Sequence, residues 1–480
     1  MEFVASSAFA IFLLAALLVA GPQRGLWVFF LATPFGAAAA LNLPAAGNAS
    51  LLLADVAALM LFMLVLVRRS GGAMIAGSMR FGQPGFWLML YAAFGIIATL
   101  LFPTLFRGGT EVFAISRAIS GTSVVSVPLG PTTGNLTQLF RLVLGVSVFF
   151  ALATVLRRTP DPRPIVTAML VAGLTNVALG WLDVAAFAAG LKDLLDPIRT
   201  ANYAILSDVR MAGIKRMIGG FPEASSFGYY SLGLFAFWLQ YWLLRPRSRI
   251  AGVMMILTMI AVLRSTSSAA YVSFVAFIFC FGFVVILGNL RSRVSRRGFA
   301  VLSASFVSLW LLGIVLASAY ELLEPVKTFF DRALFGKLEG SSGVERMSWN
   351  TQAFTNFVET YGLGAGLGSV RASSWLFATL ASVGAIGTFL FGLFLLSLLR
   401  LSSGGGAHDE RSATLAGLKV ACFAWLLSSM LTNATPDLGL AFFACAGLAT
   451  GLARGTNLAT QNAQAHQLRR LTTMSKQFAA

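Results

Sequence analysis

Uninterrupted apolar runs, each long enough to cross a lipid bilayer, recur along the whole of this 480-residue chain. A helix needs about 20 apolar residues to span the hydrocarbon core. Within lipid every backbone N–H and C=O must be paired internally, which leaves helices and closed barrels. Barrel strands alternate in polarity, whereas these runs are apolar on all sides. Only 11% of the residues are charged, against about a quarter in soluble domains. The sequence therefore predicts an all-α, polytopic membrane bundle.

About thirteen spans are predicted, and the basic residues orient them. Clusters of arginine follow the odd-numbered spans throughout, so one orientation satisfies the preference of Lys and Arg for cytoplasmic loops. This predicts an outer N-terminus and a cytoplasmic C-terminus in a bacterial inner membrane. The first run has no positive segment before it, so we expect it to be retained rather than cleaved. The predicted spans are 3–21, 26–43, 49–67, 86–104, 138–156, 164–190, 226–244, 250–264, 269–290, 299–319, 373–400, 415–432 and 436–453.

The connections divide the chain into four groups of spans and three long outer loops. The groups occupy 1–104, 138–190, 226–319 and 373–453, and a cytoplasmic tail follows at 454–480. The periplasmic loops are predicted at 105–137, 191–225 and 320–372. Long loops in a compact protein usually carry function, so we expect the functional site on the outer face.

The net charge of +17 follows from the orientation rule and does not predict nucleic-acid binding, because the basic residues are scattered through short loops. The three cysteines lie inside apolar runs, as ordinary buried thiols do. Both histidines lie on the predicted cytoplasmic side. We expect no metal site and no cofactor, and any general base on the outer face is predicted to be a carboxylate.

Cations in the second and third outer loops are the most informative residues. Two interpretations remain open for them. Arginine presents a planar fork of donors that suits phosphate oxygens, or the cations pair with carboxylates of the same loops. These cations are Lys192, Arg199, Arg210, Lys215 and Arg216 in the second outer loop, Lys327, Arg332, Lys337, Arg346 and Arg371 in the third, and Arg264 at the outer end of the eighth span.

Three segments together resemble the O-antigen polymerase and ligase family. The run from Arg216 to Glu223 reads RMIGGFPE and is similar to that family's Arg-x-x-Gly…Pro motif. Further on come the run RMSW, which starts at Arg346, and the run YGLGAGLG at 361–368. These resemble the family's Arg…Trp…Gly-x-Gly-x-Gly stretch before a late span. The resemblance is strongest between residues 210 and 399.

The segment after the glycines distinguishes the two activities of the family. Ser373, Ser374, Gly384 and Gly387 resemble the ligase pattern His-[Asn/Ser/Gln]-x9-Gly-x-x-[Gly/Thr/Tyr], but Ser373 stands where the ligase has its histidine. This departure favours a polymerase. Asp55, and residues 131–138 before the fifth span, also look like family features.

The resemblance implies a GT-C-like, metal-independent glycosyltransferase that joins oligosaccharide repeat units carried on polyprenyl diphosphate. Donor and acceptor would both be lipid-linked glycans, with membrane lipids, a chain-length regulator and a flippase as further partners. Arg216, Arg346 and Glu223 would be catalytic, and Arg210, Lys215, Arg264, Arg371 and Ser373 would bind substrate. Glu223 is either a base or a negative charge that stabilises the start of a helix through its dipole. Ser373 either binds substrate or is a polar residue at the start of a helix. The alternatives are a ligase, or a flippase or transporter of lipid-linked sugars. A transporter of the inverted-repeat kind would show two related halves, and none are visible.

Overall fold

The structure is a computed structural model. It describes residues 1–44, 49–118, 121–157, 159–211, 213–289, 341–402 and 409–458, together with scattered helical residues between 300 and 324. Most of the predicted tenth span (299–319), the cations Lys327, Arg332 and Lys337, and the tail beyond residue 458 lie outside the described residues.

Helices dominate the described part of the chain. Seven of these helices are long and apolar enough to cross a membrane: α1 (Ala5–Arg24), α5 (Pro84–Leu105), α6 (Thr133–Val155), α7 (Arg163–Ala188), α10 (Ser268–Asn289), α12 (Trp375–Leu399) and α13 (Glu410–Thr432). The others are α2 (Leu26–Ala32), α3 (Leu53–Leu66), α4 (Gly71–Ser78), α8 (Ala224–Leu244), α9 (Arg249–Arg264), α11 (Ser341–Glu359) and α14 (440–458). The prediction of a helical, multi-pass architecture is confirmed at this level.

Helix α8 lies at the centre of the bundle. Most of its residues are buried, and it packs along α9 and α13. Small residues allow the close approach to α13: a side chain at Gly233 would overlap the indole of Trp425, and one at Gly417 would overlap Phe237. Glycine at such contacts lets helix backbones approach closely.

The predicted second span, 26–43, has a different structure. Helix α2 ends at Ala32, just before Pro34, which has no backbone N–H to continue the helix. The chain then turns and forms strand β1 (Ala39–Leu43), which pairs antiparallel with β2 (Ala49–Leu52) at the start of α3. This segment is apolar because it is buried, since Ala37 to Ala40 have almost no exposed surface.

The long loops predicted outside the membrane contain secondary structure. In 105–137, strands β3 (Glu111–Ala118) and β4 (Gly121–Pro128) form a hairpin, and α11 packs against β3. In 191–225, a short 3-10 helix (Lys192–Ile198) is followed by strands β5 (Arg210–Met211) and β6 (Ile214–Lys215).

The glycine-rich run lies in a break of helix α12. Gly384 has a φ of 62° and interrupts the helix, and the amide of Ala385 donates to the carbonyl of Gly362 (2.9 Å). A Cβ on Gly364 would lie 2.6 Å from the nitrogen of Gly384. From the other side, the Asn135 side chain of α6 donates to the carbonyl of Leu367 (2.7 Å). The run is therefore fixed between α6 and α12 by backbone contacts.

Candidate functional site

A cavity of about 380 Å³ opens among the ends of several helices. Its wall comes from the turn after α2, the starts of α3, α8 and α14, the end of α13 and the third turn of α6. The polar and aromatic residues that line it are Thr33, Asp55, Arg141, Tyr203, Phe221, Glu223, Ser225, Ser226, Tyr229, Tyr230, Thr432, Asn433 and Asp437. The charge pattern predicts that the starts of α3, α8 and α14 and the end of α13 face outside.

Arg141 is the cation among the described lining residues, and carboxylates surround it. Asp55 and Asp437 both lie within electrostatic range of its guanidinium. No described residue forms a hydrogen bond or a salt bridge with the Arg141 side chain. Backbone amides fix the two carboxylates: Asp55 accepts a hydrogen bond from the amide of Leu52 (2.9 Å), and Asp437 accepts one from the amide of Gly439 (2.8 Å). The guanidinium therefore keeps donors for a ligand inside the cavity.

Tyrosines form the aromatic part of the wall. Tyr203 donates to the carbonyl of Gly36, and Tyr229 donates to the carbonyl of Leu438 (2.9 Å). Tyr230 shares a hydrogen bond with Thr33 (2.5 Å). Burial raises the pKa of Tyr203, in the loop before α8, to about 12, so its hydroxyl stays protonated at neutral pH. Flat apolar faces beside fixed polar groups are typical of small-molecule sites.

Glu223 connects this cavity to the cations of the second outer loop. It precedes the first turn of α8 in an extended conformation, and Ser225 donates to its carboxylate. A negative charge at this position is stabilised by the dipole of the helix. The same carboxylate acts electrostatically on Arg216. Glu223 is therefore part of the cavity wall and also interacts electrostatically with Arg216.

Arg216 has unused hydrogen-bonding capacity. Its Nε atom is buried and has no partner in the part of the chain that the structure describes. Burial lowers the pKa of Arg216, and Glu223 opposes that shift. The backbone around it is fixed, because its amide donates to the carbonyl of Val209 (3.2 Å) and its carbonyl accepts from the Lys215 ammonium (3.1 Å). A partly desolvated guanidinium with a free donor suits an anionic ligand.

Arg264 reaches the same segment from the end of α9. Its Nη1 donates to the carbonyl of Lys215 (2.8 Å), and Tyr271 lies within electrostatic range of both Arg264 and Arg216. Of the residues predicted from sequence, Arg216, Arg264, Lys215 and Glu223 are thus brought together.

Lys215 itself forms a salt bridge with a buried carboxylate. Its ammonium lies 3.0 Å from an oxygen of Asp183, which also forms a 2.6 Å salt bridge with Arg199 and accepts from the amide of Ile218 (3.0 Å). Burial lowers the pKa of Lys215, and Asp183 opposes that shift. Lys215 therefore anchors the loop to α7.

The remaining predicted residues lie elsewhere. Arg210 is exposed and lies over the ring of Phe187, 5.0 Å from its centroid. Arg346 is exposed on α11, and Arg371 is exposed before α12. The amide of Ser373 donates to the Asn350 side chain (2.8 Å). No hydrogen bond or salt bridge among the described residues joins Arg346 or Ser373 to Arg216.

Two of the charged residues that line the cavity were not predicted from the sequence. Arg141 lies inside the predicted fifth span and Asp437 at the start of the predicted last one. An ionisable residue inside a span is a functional signal by default, and that signal would have identified Arg141. Although three carboxylates line the cavity, no group of His, Cys, Asp or Glu among the described residues converges as a metal site would.

Comparison with known proteins adds no family to these observations. No protein-family model matches the chain, and no curated protein matches its sequence at a significant level.

Proposed function

We propose that this chain is a glycosyltransferase of the bacterial inner membrane that joins lipid-diphosphate-linked oligosaccharide repeat units at the periplasmic face. In this proposal about thirteen spans hold a GT-C-like bundle with its N-terminus outside and its C-terminus in the cytoplasm. The product is an exopolysaccharide or O-antigen polymer. The resemblance of residues 210–399 to O-antigen polymerases supports this reaction class.

One observation carries the proposal: Glu223 lines the cavity while its charge also acts on Arg216. The reaction needs a cation for the departing diphosphate and a proton acceptor for the attacking hydroxyl. Both groups must lie within one sugar of each other, because bond formation and bond cleavage occur at the same anomeric carbon. In this proposal Arg216 and Glu223 fill these two roles, because the Glu223 carboxylate lines the cavity and acts electrostatically on Arg216.

In the proposed reaction a hydroxyl of the acceptor sugar attacks the anomeric carbon of the donor. The bond from that carbon to the diphosphate oxygen breaks, and polyprenyl diphosphate leaves with the electron pair. Glu223 takes the proton of the hydroxyl. Arg216, with Arg264 beside it, stabilises the charge that grows on the diphosphate where water is partly excluded.

The cavity would hold the acceptor sugar. Arg141 offers donors to sugar hydroxyls, Asp55 and Asp437 offer acceptors, and Tyr203 and Tyr229 offer ring faces. Arg346 and Arg371 would act on the glycan or lipid from the third outer loop. Partners in the cell would be a flippase that delivers repeat units and a chain-length regulator.

The test is complementation of a strain that lacks the gene, with analysis of lipid-linked glycans. We expect Arg216→Ala to lower polymer formation by about 100-fold or more, the size of effect seen when a single transition-state donor is removed. Single repeat units on lipid should accumulate. Arg216→Lys should keep part of the activity, because it retains charge without the guanidinium fork. Arg107→Ala, an exposed arginine between α5 and β3, is the matched control.

The products separate this reaction from its alternatives. Full polymer formation by Arg216→Ala at normal protein level would contradict the assignment of the site. Intact polymer that fails to reach its final acceptor when the gene is deleted would identify a ligase. Repeat units that accumulate on the cytoplasmic face would identify a flippase.

A further inference from the structure

Three cations surround one aromatic ring near the end of α7. The Phe187 ring has Arg210 5.0 Å from its centroid, and Lys192 and Lys215 each at 5.4 Å. A ring face attracts a cation, but an aromatic ring has only two faces, and three like charges around it repel one another. An anion between them would remove that repulsion.

The cations around this ring have unused donors. The side chains of Lys192 and Arg210 form no hydrogen bond or salt bridge with any residue that the structure describes. Arg199, only 9% exposed, borders the same small pocket, and its buried Nε has no described partner. A buried guanidinium nitrogen without an acceptor is costly. The pocket itself, at about 10 Å³, has room for one water, so an anion would lie outside it against the exposed Lys192 and Arg210.

The charge of the pocket points to an anion. Its described lining contains three cations, Lys192, Arg199 and Lys215, and two carboxylates, Asp183 and Asp208, and Arg210 lies over the Phe187 ring beside it. Asp183 is already used by Arg199 and Lys215. The surplus is carried by Lys192 and Arg210, the two exposed cations.

Exposed apolar side chains flank these cations. Leu191 is 59% exposed, Leu194 51% and Ile214 52%, and Leu206 and Val209 are also exposed. Lys192, Arg210 and Lys215 directly follow Leu191, Val209 and Ile214 in sequence, and Lys192 lies just after the end of α7, a helix long enough to cross a membrane. Cations beside exposed leucines are typical of segments that lie at a lipid headgroup layer.

We propose that the exposed cations at the mouth of the Phe187 pocket bind the phosphate of an anionic membrane phospholipid. Lys192 and Arg210 contact the phosphate oxygens, and the acyl chains lie against Leu191 and Leu194. This site is separate from the cavity and does not rest on the proposed transferase activity. The bound lipid would fix the second outer loop to the membrane surface.

The test uses the full-length protein purified in a neutral detergent and titrated with phosphatidylglycerol, with binding followed by native mass spectrometry. Each Lys or Arg near a lipid surface contributes roughly a fivefold factor. The double variant Lys192→Ala/Arg210→Ala should therefore bind phosphatidylglycerol about 30-fold more weakly. Arg107→Ala should bind within about twofold of the wild type. Thermal unfolding without lipid checks that the variants are folded, and the single variants Lys192→Gln and Arg210→Gln replace the double variant if it is not.

Defined results would overturn the proposal. Binding by the double variant at the wild-type level would show that these cations do not hold the lipid. An equal loss in Arg107→Ala would show general charge attraction. Displacement of phosphatidylglycerol by inorganic phosphate at the same concentration would show that the lipid is not required. Displacement by a much lower concentration of polyprenyl diphosphate would assign the pocket to that lipid instead.

Discussion

Replacing Asp183 by alanine should destabilise the protein by about 3–5 kcal/mol, the range found when one partner of a buried ion pair is removed. Asp183 lies 2.6 Å from Arg199 and 3.0 Å from Lys215, and none of the three side chains is more than 6% exposed. Its removal leaves the amide of Ile218 without its acceptor and leaves two buried cations without a counter-charge, each bonded only to a backbone carbonyl. We expect the loss to show in unfolding by SDS from mild-detergent micelles, followed by tryptophan fluorescence.

The two cations should not contribute equally to that loss. Burial already lowers the pKa of Lys215, so without Asp183 its ammonium can give up its proton. Arg199 keeps its charge at any accessible pH. The double variant Asp183→Ala/Arg199→Met should therefore recover much of the stability, because apolar replacement of a whole buried pair is often neutral. Asp193→Ala, an exposed carboxylate of the 3-10 helix, is the control and should change stability by less than about 0.5 kcal/mol.

A free energy of unfolding for Asp183→Ala within about 1 kcal/mol of the wild type would refute this reasoning, since a buried pair costs more to break. So would a double variant less stable than the single one. Either result would mean that water or a side-chain rearrangement solvates the cations, and that the loop from 191 to 222 does not depend on Asp183.

Two further predictions concern the glycine-rich run. Gly384→Ala should lower the free energy of unfolding by at least about 1–2 kcal/mol, because alanine is disfavoured at positive φ and its Cβ would overlap the Gly362 carbonyl. Gly392→Ala in the same helix, with open space around it, is the control and should be neutral or stabilising. Equal effects of the two variants in the same unfolding assay would contradict the strain argument. Asn135→Ala should lower the free energy of unfolding by about 1–3 kcal/mol, because it leaves the buried carbonyl of Leu367 unpaired. Thermal unfolding measures this loss, and no change would mean that another donor satisfies the carbonyl.

Apolarity predicted most of the helices well and one of them wrongly. The predicted span 164–190 corresponds to α7 (Arg163–Ala188), and the predicted span 226–244 to α8 (Ala224–Leu244). The run 26–43 is equally apolar, yet its second half is extended. An apolar run indicates only that a segment is removed from water. A strand covered by helices is removed from water just as a membrane-spanning helix is. Pro34 was the local signal against a continuous helix.

The candidate site could be predicted only in part. Glu223 and Asp55 stood out because they are charges beside or within apolar runs, and both line the cavity. Arg141, inside a predicted span, carried a signal that was not used, whereas Asp437 became relevant only when the segment after α13 was placed beside the start of α3 in one cavity. That placement depends on contacts between residues far apart in sequence, which local periodicity does not encode. The partners of the loop cations were also unpredictable, because Asp183 lies on α7 rather than in the loops.

The glycine-rich run in the break of α12 restricts how the cavity can open. The run follows α11 directly, and its carbonyls and amides are bonded to α6 and α12. Helix α6, whose third turn carries Arg141 into the cavity, cannot separate from the run without breaking the bond from Asn135. In the proposed reaction the lipid-linked substrate would instead enter between the other lining segments, 221–226 and 432–441. Crosslinks that tie α11 to the hairpin should be harmless to turnover, whereas a crosslink between those two segments should block it.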